Sequence, residues 1–229
     1  MKKAILLFAL VAAYNLGFAQ SYSGGLGYFY GGYSGIETST INQRFAQFGI
    51  PELASGGIAM GGGAFGIFNR IIIGGEGMGF SANTINATQQ VDYDFSYGML
   101  NIGYLVLTTK KTLFYPMAGI GAGGVFIRVR ERIGTPDLND ILANPNRGVE
   151  LQARSLMLNF SLNVTHFTFG RENRIGGMAL GLSVGGYFSP MRADWTYLGT
   201  SLSNAPDTRL NGWFVTLKFG GGGIVAKTN

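Results

Sequence analysis

Residues 156–164 read LMLNFSLNV. Leu156, Leu158, Phe160, Leu162 and Val164 alternate with Met157, Asn159, Ser161 and Asn163, so an extended strand here has one wholly apolar face and one mostly polar face. The pattern recurs at 178–188, where Met178, Leu180, Leu182, Val184 and Phe188 alternate with Ala179, Gly181, Ser183, Gly185 and Tyr187. It recurs again at 213–219, with Trp213, Val215, Leu217 and Phe219 against Phe214, Thr216 and Lys218. Such stretches approach the length, about 9–11 residues, that a tilted strand needs to cross a hydrocarbon layer.

Composition agrees with strands that face lipid. Charged residues make up 13% of the chain, about half the share of a soluble domain, which leaves too little charge to coat a water-facing surface. The apolar stretches are broken by glycine every two or three residues, as in residues 117–127 (MAGIGAGGVFI), so none reads as a spanning helix. An apolar chain without such a helix can still cross a membrane by closing a sheet, because closure satisfies every backbone donor and acceptor.

The N-terminus carries Lys2 and Lys3, then an apolar run over 4–13 (AILLFALVAA), then a stretch ending Phe18, Ala19, Gln20. This is the pattern of a cleaved export signal over 1–20, leaving 21–229 as one domain. The chain has no cysteine, which excludes a lipid-modified anchor, a disulfide framework and thiolate metal sites. Without Lys2 and Lys3, 15 basic residues stand against 12 acidic ones, and the basic residues form no long run or basic helix. The pI near 9.5 therefore implies no nucleic-acid partner.

Turn residues divide the mature chain into eight expected strands at 21–33, 56–69, 71–82, 91–108, 112–130, 150–169, 175–194 and 210–220. The connections at 34–55, 83–90, 131–149 and 195–209 are long; those at 69–70, 109–111 and 170–174 are short. Such alternation places short turns in the periplasm and long loops outside the cell. Two aromatic girdles are expected, with Phe68, Phe114, Tyr115, Phe167, Phe169 and Phe219 toward the short turns. Tyr28, Tyr30, Tyr93, Tyr97, Tyr187, Trp195 and Trp213 form the other. The strand at 91–108 changes parity near Met99 to Asn101, where a bulge is expected.

In strand number, loop alternation, girdles, export signal and glycine-rich segments such as 31–35 (GGYSG) and 74–77 (GGEG), the chain resembles the small outer-membrane β-barrels of the OmpA-like and OmpX-like class. The fold implied is an all-β, antiparallel, up-and-down transmembrane barrel of about eight strands. The resemblance places it in the outer membrane, among membrane lipid and outer-leaflet glycolipid. Barrels of this class often end on an aromatic residue, whereas here Phe219 is followed by GGGGIVAKTN.

A barrel this narrow is filled by its own side chains. Lys218 faces inward by parity, Glu76 is assigned inward because a carboxylate facing lipid is costly, and Arg128 and Arg130 are assigned inward opposite Val125, Ile127 and Val129. The expected lumen network has Glu76 neutralising Lys218 or Arg128. The single histidine, His166, shares parity with Leu162 and Val164, which places it on the lipid side rather than in a catalytic pocket. Residues 119–124 match G-x-G-x-x-G, but no helix follows, so they read as a strand whose small residues make room for lumen neighbours. No catalytic, cofactor or metal site is argued.

In the first long loop, Ile41, Phe45 and Phe48 follow Ser39 and Thr40 at the spacing of a short amphipathic helix capped by a hydroxyl. A weaker version occurs at Leu138, Ile141 and Leu142. The functional expectation is a structural or interaction barrel whose loops meet a protein or small-molecule partner, with a narrow channel as a variant. The alternatives are a lipid-modifying enzyme and a soluble lipocalin-like carrier. Leu158→Arg separates membrane from soluble barrel: at the bilayer midplane it costs about 2–4 kcal/mol, read from denaturant unfolding in lipid vesicles.

Overall fold

The computed structural model describes residues 21–132, 137–143, 148–171 and 173–227; the export signal expected at 1–20 lies outside them. In chain order the elements are β1 (Ser21–Ile36), α1 (Ser39–Ala46), β2 (Gly56–Phe68), β3 (Ile71–Ile85), β4 (Gln89–Tyr104), β5 (Leu107–Thr108) and β6 (Thr112–Glu131). They continue with α2 (Leu138–Ala143), β7 (Gly148–Arg171), β8 (Arg174–Phe188), β9 (Asp194–Tyr197), β10 (Thr200–Ser201) and β11 (Gly212–Lys227).

Eight of these strands, β1, β2, β3, β4, β6, β7, β8 and β11, pair with their neighbours in an antiparallel ring. β1 closes on β11 in unbroken register from Ser21 opposite Lys227 to Ile36 opposite Gly212. The short β5 pairs with β6, and β9 with β10 forms a hairpin against the upper part of β7. The chain is an up-and-down transmembrane β-barrel.

Several boundaries differ from the sequence expectation. β11 runs through the glycine-rich segment to Lys227, so Phe219 sits within the strand rather than near its end. The connection expected over 83–90 shrinks to residues 86–88, where Asn86 Oδ1 accepts from the backbone N–H groups of Thr88 and Gln89 at 2.9 and 2.7 Å. An Asx turn of this kind lets two strands project together beyond the membrane instead of ending at it. β4 stops at Tyr104 and β8 at Phe188, each shorter than expected.

The side chains divide the barrel into two zones. In the first, the outer surface is apolar: Phe29 is 78% exposed and Leu217 68%, and Leu156, Phe160, Leu162, Val164, Leu180 and Val184 are exposed beside them. The same strands turn Asn159, Ser161, Asn163, Thr165, Ser183 and Thr216 into the lumen. Nearer the long loops the order inverts. There Val91, Tyr93, Phe95, Val125, Ile127 and Ala153 are buried inside, while Asp92, Asp94, Arg128, Arg130 and Glu150 lie on the outer side.

This inversion accounts for the parity change on β4, which needs no bulge. Val91, Tyr93, Phe95, Tyr97, Met99 and Asn101 all face inward in continuous register with β3 and β6. What changes near Met99 is the environment outside the strand, from water to hydrocarbon. The same reason overturns the inward assignment of Arg128 and Arg130. Above the membrane the β-branched residues fill the interior and the arginines meet water, as in a soluble barrel.

Glycine makes the crowded interior possible. A Cβ on Gly119 would collide with the side-chain amide oxygens of Asn101 and Asn159, and one on Gly63 would reach Glu76 Cβ at 2.8 Å and the Tyr28 hydroxyl at 2.9 Å. A Cβ on Gly27 would meet nothing within 4 Å. Gly119→Ala is therefore expected to cost roughly 1–3 kcal/mol through overpacking, while Gly27→Ala stays near neutral. The loss of the fast-migrating unboiled band at lower urea concentration for the first variant alone checks this.

Candidate functional site

Two places carry chemistry: the polar layer of the lumen, and the loop platform above the barrel. The polar layer is built from inward positions on β1, β3, β7, β8 and β11. The Tyr28 hydroxyl donates to Glu76 Oε2 at 3.2 Å, and Asn159 Nδ2 donates to Glu76 Oε1 at 3.2 Å. Lys218 is 4% exposed; its Nζ donates to Asn163 Oδ1 at 2.8 Å and lies 4.5 Å from the centre of the Tyr28 ring. Ser183 Oγ also donates to Asn163 Oδ1, at 2.8 Å, and Asn163 Nδ2 donates to Ser161 Oγ at 3.0 Å.

Glu76 and Lys218 thus share one lumen, but they are joined indirectly. Among the described residues no ion pair within 4.0 Å links them. Tyr28 stands between, with its ring face toward the ammonium and its hydroxyl toward the carboxylate. A cation over an aromatic face and a phenol donating to an anion are each favourable, and both gain where water is scarce. Arg128 belongs to a different group, on the outer side near the loops, where it pairs with Asp94 at 3.4 Å and Glu150 at 3.8 Å. Arg130 pairs with Asp92 at 3.5 Å in the same cross-strand ladder.

Toward the long loops the lumen is closed by aromatic rings. Phe95 stacks on Tyr187 with centroids 5.1 Å apart, Tyr97 lies 5.6 Å from Tyr187, and Phe80 lies 5.4 Å from Phe95. The Tyr187 hydroxyl donates to Gly35 O at 2.8 Å, which fixes the ring across the bore. Tyr28, Tyr30, Tyr93, Tyr97, Tyr115, Phe167, Tyr187 and Trp195, expected in the girdles, are all buried. The sequence signal for this was the alternation of Tyr93, Phe95 and Tyr97 with Asp92, Asp94 and Ser96. Phe68, Phe169, Trp213 and Phe219 do point outward.

The first long loop forms α1 over residues 39–46, with Ile41 and Phe45 buried and Phe48, beyond the helix end, 70% exposed. The expected hydroxyl cap is absent: the N-cap is Thr38, which makes no side-chain capping bond. The helix is held instead through Asn42, whose Nδ2 donates to Leu53 O at 3.1 Å while its Oδ1 accepts from Leu53 N at 2.8 Å. Arg44 Nη2 reaches Asn204 O at 3.4 Å and ties this loop to the last one. In α2, Leu138 and Leu142 are exposed, and the Ile141 side chain lies outside the described residues.

His166 is on the outer face, its Nδ1 3.0 Å from Thr112 Oγ1. Residues 119–124 lie within β6, where no phosphate-cradling turn forms.

No protein-family model and no curated protein sequence matches the chain. Among solved structures it is similar to Neisserial surface protein A, at 13% identity over 89% of this chain and 97% of that one, with a TM-score of 0.38. It is also similar to Ail, the attachment invasion locus protein of Yersinia pestis, in complex with the heparin analogue sucrose octasulfate, at 9% identity over 89% and 99% with a TM-score of 0.43. A third is the outer membrane protease OmpT of Escherichia coli, at 10% identity over 90% and 95% with a TM-score of 0.34. These likenesses are too remote to transfer a role.

Removing Lys218 leaves the partly buried Glu76 carboxylate with only its neutral Tyr28 and Asn159 donors, which costs about 1–3 kcal/mol. Lys218→Met is expected to destabilise by that order, and adding Glu76→Gln should restore part of the loss. Urea unfolding of the two single variants and the double variant measures the coupling.

Proposed function

We propose that the protein is exported by its first twenty residues and works in the outer membrane as a surface-interaction barrel. Its partners are met by the long loops, and it catalyses no reaction. The observation that carries this reading is that the lumen is filled while the described loop segments are held by hydrogen bonds and leave apolar side chains exposed. The stacked rings around Tyr187 and the hydrogen-bonded layer around Glu76 occupy the bore. Above them Phe48, Met191 and Leu198 stand exposed on segments held by hydrogen bonds, Leu198 at 76%. Exposed apolar side chains on a fixed frame, rimmed by charge, are the usual composition of a recognition surface.

The arrangement favours this reading over the alternatives. A solute channel needs a continuous aqueous path, which the Phe95–Tyr187 stack interrupts. A lipocalin-like carrier keeps polar residues outside, whereas here the middle of the barrel is apolar outside. A lipid-modifying enzyme built on His166 needs a Ser nucleophile and an orienting acid around the imidazole in a polar pocket, whereas the ring lies exposed on the outer surface with Thr112 as its hydrogen-bond partner.

Photo-crosslinking side chains placed at Phe48 and Leu198 in intact cells test the proposal. Adducts with an outer-leaflet glycolipid or an extracellular protein are expected there, and none with those partners at Phe169. The same protein in a planar bilayer is expected to pass no stepwise current. Steady conductance with no loop adducts would put the channel reading in its place.

A further inference from the structure

The end of the barrel that carries the short turns has a different character from the loop end. Its described charged side chains are Arg70, Lys110, Lys111, Arg171 and Arg174, with Glu172 of the same hairpin outside the described residues, whereas Asp92, Asp94, Glu131, Glu150, Asp194 and Asp207 gather toward the long loops. Arg171 and Arg174 are directly opposite one another across the β7–β8 hairpin. Like charges in that relation repel, and among the described residues neither has an ion-pair partner.

The two arginines also share a cavity. A cleft of about 420 Å³ is lined by Lys110, Arg171 and Arg174, and by Thr108, whose buried hydroxyl has no hydrogen-bond partner. Arg171 and Arg174, with Ile175 and Ile224, continue into a groove of about 620 Å³ on the outer side of the barrel. Exposed Phe169 and Val225 wall that groove, and Gly176, Gly177 and Gly223 leave its floor free of side chains. Gly177 is required there, since its φ of +96° suits glycine and a Cβ would strike the Phe169 ring.

We infer that this cleft and groove form a binding site for one anionic glycerophospholipid of the periplasmic leaflet. The phosphodiester sits between Lys110, Arg171 and Arg174 and relieves their repulsion, and an acyl chain lies along the glycine floor between Phe169 and Val225. Guanidinium groups suit a phosphate because they offer paired donors in one plane. Continuity with the lipid-facing surface makes the occupant a lipid rather than a free anion. The inference rests on the barrel lying in a bilayer, and not on any role of the loops.

The test is native mass spectrometry of the folded mature protein in detergent with phosphatidylglycerol, with phosphatidylcholine, or with inorganic phosphate. Selective retention of phosphatidylglycerol by the wild type is expected. Each of Lys110→Ala, Arg171→Ala and Arg174→Ala should weaken it about fivefold, the effect of one basic residue near an anionic surface. Arg128→Ala, at the other end, should leave it unchanged, and the Arg171→Lys/Arg174→Lys double variant, which keeps the charge and loses the paired donors, should fall between the wild type and the alanine variants. The unboiled band shift reports that each variant is folded. Equal retention of both lipids, retention of phosphate alone, or a loss equally large in Arg128→Ala overturns the inference. Such a result in a folded barrel leaves the surface-interaction reading intact.

Discussion

Everything in this molecule follows from one constraint: in hydrocarbon no backbone N–H or C=O has water to turn to. A single unpaired strand edge would leave a row of such groups, each costing several kcal/mol. The pairing of β1 with β11 removes that edge, and it runs along the whole of β1. Once the ring is closed with eight strands, its bore is only wide enough for side chains, so what fills it becomes the second decision the chain must make. This chain fills the membrane zone with a layer of amides and hydroxyls around Glu76 and Lys218 and with apolar side chains such as Leu26, Phe65, Ile67, Ile72 and Met117, and the zone above with aromatic rings.

The two fillings reflect the two solvents outside. Where lipid lies outside, apolar side chains are best placed outward, and the polar ones left over must satisfy one another within. Asn163 does so fully, accepting from Lys218 and Ser183 and donating to Ser161, whereas the buried side-chain oxygens of Asn101 and Asn159 have no hydrogen-bond partner. Where water lies outside, burial of rings such as Phe95 and Tyr187 again becomes the main source of stability, and charges migrate to the exterior as cross-strand pairs. A barrel that projects beyond the membrane is thus two proteins in one sheet, each obeying its own pattern on the same strands.

That duality decides what was legible in the sequence. The closed barrel could be read from alternation and turn spacing, and the same alternation is why Leu156, Phe160, Leu162 and Val164 lie exposed while Lys218 is buried. Residues whose environment changes along the strand could not be read this way. An inward Arg128 follows only if membrane lies outside the whole of β6, and girdle positions for Tyr93 and Tyr97 follow from the same premise. The role of Tyr28 between Glu76 and Lys218 was hidden differently, since it depends on the stagger of three strands far apart in sequence. The tail after Phe219 was misjudged because glycines carry no face by which to tell strand from coil.

Those glycines meet others at the place where the ring closes. Gly24, Gly25 and Gly27 on β1 lie against the run from Gly220 to Gly223 on β11. Strands so bare of side chains have little to hold them in one alignment, and could slide past each other by two residues without turning any face around. Lys218 sits opposite Tyr30, two positions along from this smooth stretch, and in this alignment it meets Asn163 and the Tyr28 ring. The buried ammonium is in this sense a locating pin. It fixes one alignment at a seam that over its glycine-rich part has few side chains to do so.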